Sequence, residues 1–199
     1  MPSLPEPIQQ ASGAFDSLPG VGPRAALRYA FWLVSQPKEV IETFARAMSG
    51  LAHILHCSVC HQWTTEIVCN ICRDGRRDRT LVCVVATSDT IRAIEDTGAF
   101  SGMYHVLGGT IDPIEGRTPD TIAIAPLIER VRATVPPIQE ILLAFDADIP
   151  GDTTALYLTK QLSAFPVKVS RLARGLPTGA ALEYADALTL ADAITHRTN

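Results

Sequence analysis

The sequence predicts an α+β chain of several modules: a helical N-terminal region, a small cysteine-rich module, an α/β domain with a mostly parallel sheet, and a C-terminal tail. Three observations predict it. Apolar residues recur at three- and four-residue steps over residues 8–56, the period of helices with one buried face. Four cysteines then stand in two Cys-x-x-Cys pairs, Cys57/Cys60 and Cys69/Cys72. From Leu81 onward, short apolar runs alternate with helical stretches, the signature of a parallel sheet covered on both faces. The expected divisions are 1–55, 56–79, 80–168 and 169–199.

Composition narrows the function classes. The 199 residues give room for one ordinary domain and a smaller one, and 47% of them are hydrophobic, which means a packed core and not a disordered chain. The formal charge of −4 argues against a surface that grips nucleic acid everywhere. Residues 1–79 hold 8 Lys/Arg and 7 Asp/Glu, a net of +1, while residues 80–199 hold 9 and 14, a net of −5. DNA contact is therefore expected in the N-terminal part, and the acidic remainder suits a metal or a basic partner. Met1 to Gln10 have no basic start and no apolar core, unlike a signal peptide. No run approaches the roughly 20 apolar residues of a membrane span. A cytoplasmic protein with reduced thiols is expected, with no membrane association.

The N-terminal pattern gives helices over 8–15, 25–34 and 40–55. Between the first two lies LPGVGPR, residues 18–24. Gly20 and Gly22 permit backbone angles closed to other residues, and Pro23 suits the first turn of the next helix. Such a turn points backbone N–H groups outward beside a helix N-terminus, which makes an anion site. Arg24 and Arg28, one helical turn apart, add charge to that face. The segment resembles the helix-hairpin-helix motif, which binds nucleic-acid backbones without reading sequence. A purely structural packing unit is the alternative. Tyr29, Phe31 and Trp32 follow among apolar neighbours and are expected in the core.

Each cysteine pair lets two sulfurs reach one ion from a tight turn, and the eight intervening residues allow a hairpin that gathers four thiolates into a tetrahedron. This is the pattern of a structural Zn²⁺ site, whose closed shell leaves no place for a nucleophilic water. Two disulfides are the alternative and need an oxidising compartment. His56 and His61 flank ligands but are surplus to a complete sulfur shell. Cys83, inside LVCVV, reads as a buried strand residue. The stretch RDGRRDR, residues 73–79, mixes both charges and reads equally as a solvated linker or a phosphate patch.

Beyond it, strands are expected at 81–85, 104–107, 140–146 and 167–172, with helices at 88–96, 122–135 and 151–165. Ligands of such sheets bind at carboxyl ends of strands. One end reads DADIPGD and carries Asp146, Asp148 and Asp152. Carboxylates two residues apart leave a strand toward one side and suit Mg²⁺; a solvated acidic end or a partner-docking patch are the alternatives. The arrangement resembles the Toprim domain of topoisomerases, primases and related nucleases. Active members of that superfamily carry a glutamate at the end of the first strand as general acid/base. Here that place is Ala86-Thr87-Ser88, so no catalytic residue is assigned, and a Mg²⁺-dependent enzyme of nuclease or topoisomerase type is the alternative. Asp89 is three residues on and would need a rearranged loop to substitute.

The order of hairpin, four-cysteine module and Toprim-like domain, with the strings LPGVGPRAALRYAFWL, AIEDTGAFSGMYHVLGG and RLARGLPTGAALEYADALTLADAI, resembles the RecR family of bacterial recombination mediators over the whole length. The resemblance implies a non-enzymatic DNA-repair protein that acts with RecO and RecF to load recombinase onto single-stranded DNA. It also implies dimers and ring-shaped tetramers whose hairpins face single- or double-stranded DNA. By the same resemblance, Gly20, Gly22, Arg24 and Arg28 are the DNA-binding positions, Cys57, Cys60, Cys69 and Cys72 the zinc ligands, and the Toprim face the RecO dock. Residues 171–179 fall in the family's Walker-B-like stretch, near a subunit interface. The family's first Toprim strand ordinarily ends in Glu-Ser-Pro; here Ala86 replaces the glutamate, and Asp146, Asp148 and Asp152 are the acids left to form a docking surface.

Overall fold

The structure, a computed structural model, describes residues 4–195 and 197 apart from 174, 177, 178 and 180. The chain divides into two compact units, Met1–Ile54 and Leu55–Asn199.

The first unit holds three helices: α1 (Glu6–Asp16), α2 (Pro23–Val34) and α3 (Lys38–Leu51). Pro5, Gly22 and Pro37 precede them as caps, so each helix begins where a fixed φ or a bare backbone stops the preceding turn. Phe15 meets Tyr29 edge-on at 5.9 Å and Phe44 at 6.3 Å between ring centres. Among the described residues, only Ala26 and Ala30 of these helices are buried. The aromatic trio expected in the core is not there: Tyr29, Phe31 and Trp32 are 41%, 43% and 58% exposed. Three helices of 11, 12 and 14 residues enclose too little volume to cover that much ring surface.

The second unit begins with a hairpin, β1 (Leu55–His56) and β2 (Trp63–Thr64), paired antiparallel, and a single helical turn, α4 (Asn70–Arg73). There follow β3 (Asp78–Val85), α5 (Ser88–Glu95), β4 (Gly102–Val106), α6 (Ile124–Ala133), β5 (Glu140–Ala144), α7 (Ile149–Leu162) and β6 (Lys168–Arg171). The four long strands form one sheet in the order β4-β3-β5-β6, parallel throughout, as the alternation of apolar runs and helices predicts. A 3₁₀ turn (Leu182–Tyr184) and α8 (Ala187–Thr195) follow. Of the stretch 171–179, residues 174, 177 and 178 lie outside the described residues. No described helix is long and apolar enough to cross a membrane.

The sheet is buried on both faces, and strand parity assigns them. Val82 and Val84 of β3 join Ile141 and Leu143 of β5, Leu127 of α6 and Leu158 of α7 in one cluster, which also contains the four paired cysteines. Cys83 and Val85 face the other way, toward Ile91, Tyr104, Val106 and Ala144. The stretch between the cysteines and the sheet is held by ion pairs, with Arg76 and Arg79 still exposed. Arg73 pairs with Glu66, Arg76 Nη2 lies 2.8 Å from Asp74, and Arg77 pairs with Glu95. Glu95 also accepts from the Tyr104 hydroxyl at 2.6 Å, so this stretch is pinned to α5 and β4.

Candidate functional site

The metal centre is built from two turns. In the first, Cys57 N donates to Gln62 O at 2.8 Å and His61 N to Cys57 O at 2.9 Å. Closing so tightly puts His61 at φ 63°, a left-handed conformation that costs a non-glycine residue roughly 1–2 kcal/mol. In the second, Cys69 caps α4, and its Sγ accepts from Cys72 N at 3.4 Å. A cross-turn bond from Cys69 N to Cys57 Sγ, 3.3 Å, joins the two. All four Sγ atoms lie within 4.8 Å of one another, and Cys60 and Cys69 Sγ are 3.6 Å apart.

That geometry fits a metal. A tetrahedral Zn–S bond of about 2.3 Å sets sulfur–sulfur edges of about 3.8 Å, and all five cysteines of the chain are free thiols. The electrostatics point the same way. Burial opposes a Cys57 thiolate, yet backbone N–H groups of Cys69, Cys60 and Val59 outweigh it and bring the pKa to about 6. Cys60, beside the Cys72 thiol and buried, is pushed well above the thiol range, and burial lifts Cys69 to about 11. The Cys57 anion is welcome while those of Cys60 and Cys69 are not, an imbalance that a divalent cation removes. Among the described residues, these cysteines are the one group of three or more ligand side chains close enough to share an ion. His56 donates through Nδ1 to His61 O at 2.9 Å, and neither histidine belongs to the set. Cys83 lies in the sheet, its thiol raised by burial to about 12.

At the hairpin, Gly20 takes φ 77°, the left-handed turn its lack of a side chain permits. Val21 N closes the turn on Leu18 O at 3.1 Å, and Gly22 O accepts from Ala26 N at 3.0 Å. Arg24 and Arg28 are both exposed on α2, Arg28 lies 5.6 Å over the Tyr29 ring, and among the described residues neither pairs with a carboxylate.

The three aspartates end up in different settings. Asp148 caps α7, its carboxylate accepting from Gly151 N at 2.7 Å. Asp152 pairs with Arg171 of β6. Asp146 and Asp148 line a cavity of about 360 Å³ with Ala86, Thr87, Asp89 and Arg117. Asp89 thus reaches the same cavity without a rearranged loop, because α5 starts directly at the end of β3. Sequence reasoning passed over Arg130, a half-buried cation on α6 that donates to Tyr104 O at 2.5 Å. Nothing local marks it, since its strand partner is 26 residues away.

Comparison with known proteins places all of this in one lineage. Three family models match: the Toprim domain over residues 80–173, the RecR helix-hairpin-helix over 8–51 and the RecR C-terminal region over 175–198. The recombination protein RecR of Synechococcus sp. (strain WH7803) is 43% identical over 198 residues, 99% of this chain and 98% of the relative. RecR of Amoebophilus asiaticus (strain 5a2) is 41% identical over 96% of this chain and 94% of its own length. RecR of Prochlorococcus marinus (strain MIT 9313) is 45% identical over 92% and 96%. With identity at this level spread across hairpin, cysteine module, Toprim domain and C-terminal segment, the chain belongs to the RecR family of recombination proteins.

Proposed function

We propose that the protein is a non-enzymatic recombination mediator that holds DNA through its N-terminal hairpin and acts with RecO and RecF to load recombinase onto single-stranded DNA. The observation that carries the DNA contact is the Gly20 turn, with exposed Arg24 and Arg28 beside it and no carboxylate partner for either among the described residues. Gly20 and Gly22 let the backbone approach phosphates closely, and the two guanidinium groups supply charge without base recognition. Binding is then sequence-independent, covers single and double strands, and weakens steeply with salt as counterions are released.

Cys57, Cys60, Cys69 and Cys72 hold Zn²⁺ in a structural role, because a closed four-sulfur shell suits zinc and leaves no open position. Their part is to bind the ion and, through it, to lock the two turns together. Tyr29, Phe31 and Trp32, exposed on α2, support self-association into a dimer or a tetrameric ring. Modules at 1–55, 56–79, 80–168 and 169–199 divide these tasks. Asp146, Asp148 and Asp152 offer an acidic face to RecO, and a cytoplasmic, nucleoid-associated location follows from the role.

The test is fluorescence anisotropy with labelled single- and double-stranded oligonucleotides over a salt series. Arg24→Glu with Arg28→Glu is expected to abolish binding while zinc content and oligomer size stay unchanged; retained affinity would sink the hairpin reading. One observation favours a second reading, a Mg²⁺-dependent enzyme: Asp89 lines the same cavity as Asp146 and Asp148. Cleaved or joined DNA in the presence of Mg²⁺, lost in Asp146→Asn, would establish it; intact DNA favours the mediator.

A further inference from the structure

A zinc ion bound by four thiolates carries a net charge of −2, and here that charge lies among buried residues. All four cysteines belong to the cluster of Val82, Val84, Leu127 and Leu158. Burying an unpaired charge is costly, and hydrogen bonds or a counter-charge must offset it. Two backbone bonds to sulfur, from Cys69 N and Cys72 N, answer part of the demand. The rest calls for a cation.

Arg130 is that cation by position. Its neighbours on α6, Leu127, Ile128 and Val131, all pack into the cysteine cluster. Its Nη1 donates to Tyr104 O at 2.5 Å, and two residues along the same strand Val106 N donates to Cys60 O at 2.8 Å. Strand β4 thus carries the guanidinium and the metal turn side by side. No carboxylate among the described residues pairs with Arg130, which is unusual for a half-buried charge. Burial pushes its pKa down, and Cys72, Cys60 and Cys57 are what hold it up against that burial and the repulsion of Arg79. The buried histidine nearby cannot share the task. His105 is fully buried, donates through Nε2 to Ala123 O at 2.9 Å, and is held neutral by burial with a pKa near 3.

We propose that Arg130 is the counter-charge of the metal centre, a positioning residue that stabilises the bound zinc–thiolate group and ties α6 to the cysteine turns through β4. The inference rests on the zinc reading above. The metal needs thiolates, and thiolates this deep need a fixed positive charge that does not titrate; arginine meets both demands.

The experiment uses the full-length chain and begins with zinc content by mass spectrometry. A wild-type protein that takes up no zinc would overturn the zinc reading and this inference with it. With zinc-loaded wild type in hand, metal transfer to a chelating dye is timed for Arg130→Met, which keeps much of the stem but not the charge, and for Arg130→Lys, which keeps the charge. Arg130→Met is expected to release zinc roughly tenfold faster, and Arg130→Lys at close to the wild-type rate. If Arg130→Met does not fold while Arg130→Lys folds with zinc bound, the charge is still the property that matters. Wild-type release from Arg130→Met, or equal impairment of the two variants, would overturn the proposal.

Discussion

A methyl group on Gly151 would lie 2.2 Å from the Asp146 carbonyl oxygen and 2.9 Å from Asp148 Oδ1, so the turn from β5 into α7 closes only over a hydrogen atom. Gly151→Ala is therefore expected to lower the stability of the second unit by about 2–3 kcal/mol, read as a lower midpoint in thermal melting. The same crowding explains how DADIPGD is arranged. Its first carboxylate faces the cavity, its second caps the helix, and its third turns to Arg171. Sequence spacing placed these acids at a strand end, but spacing does not say which will find partners. His61 is the opposite case, a residue whose left-handed backbone no sequence signal announces, because closure of the Cys57 turn imposes it.

The cysteine module acts as an element in its own right, with sulfurs where a larger domain would have aliphatic side chains. It also covers the edge of the sheet, since Cys60 O accepts from Val106 N on β4, and a covered edge is closed to further strand pairing. Stripping zinc with a strong chelator is expected to lower the melting midpoint by several degrees, because metal binding contributes folding free energy. Amide exchange at Val106 should accelerate while the central strand β3 keeps its protection; equal protection of Val106 with and without metal would refute the covering role. The strands were legible in sequence as apolar runs, but their ends were not. β3 starts three residues earlier than its apolar run because Asp78 N finds Ser101 O at 3.0 Å, and α6 starts late because Ala123 N is held by Leu107 O at 2.8 Å. α4, at four residues, is too short to leave a periodic signal.

On the scale of the whole molecule, charge is unevenly divided along the chain. The net of +1 over residues 1–79 and −5 over 80–199 fits the proposal that DNA meets the first part and a basic partner the rest. Along α3, Met48 and Leu51 are 50% and 63% exposed and one turn apart, apolar surface suited to a second copy of the chain. On the proposed self-association, Met48→Glu with Leu51→Glu is expected to leave a monomer of 21.5 kDa in sedimentation equilibrium where the wild type is larger, with helix content retained; equal masses for the two would exclude this face as the contact. The sequence by itself determined the two Cys-x-x-Cys turns, the glycine hairpin with its arginines and the alternation that makes a parallel sheet. These are local matters of backbone freedom, ligand reach and periodicity, complete within a few residues. Only the tertiary structure decided that Arg77 pairs with Glu95 and Asp152 with Arg171, and that Arg130 lies beside β4 and the cysteine cluster. The fate of a charge depends on distance and burial, and the folded chain sets both between residues far apart in sequence.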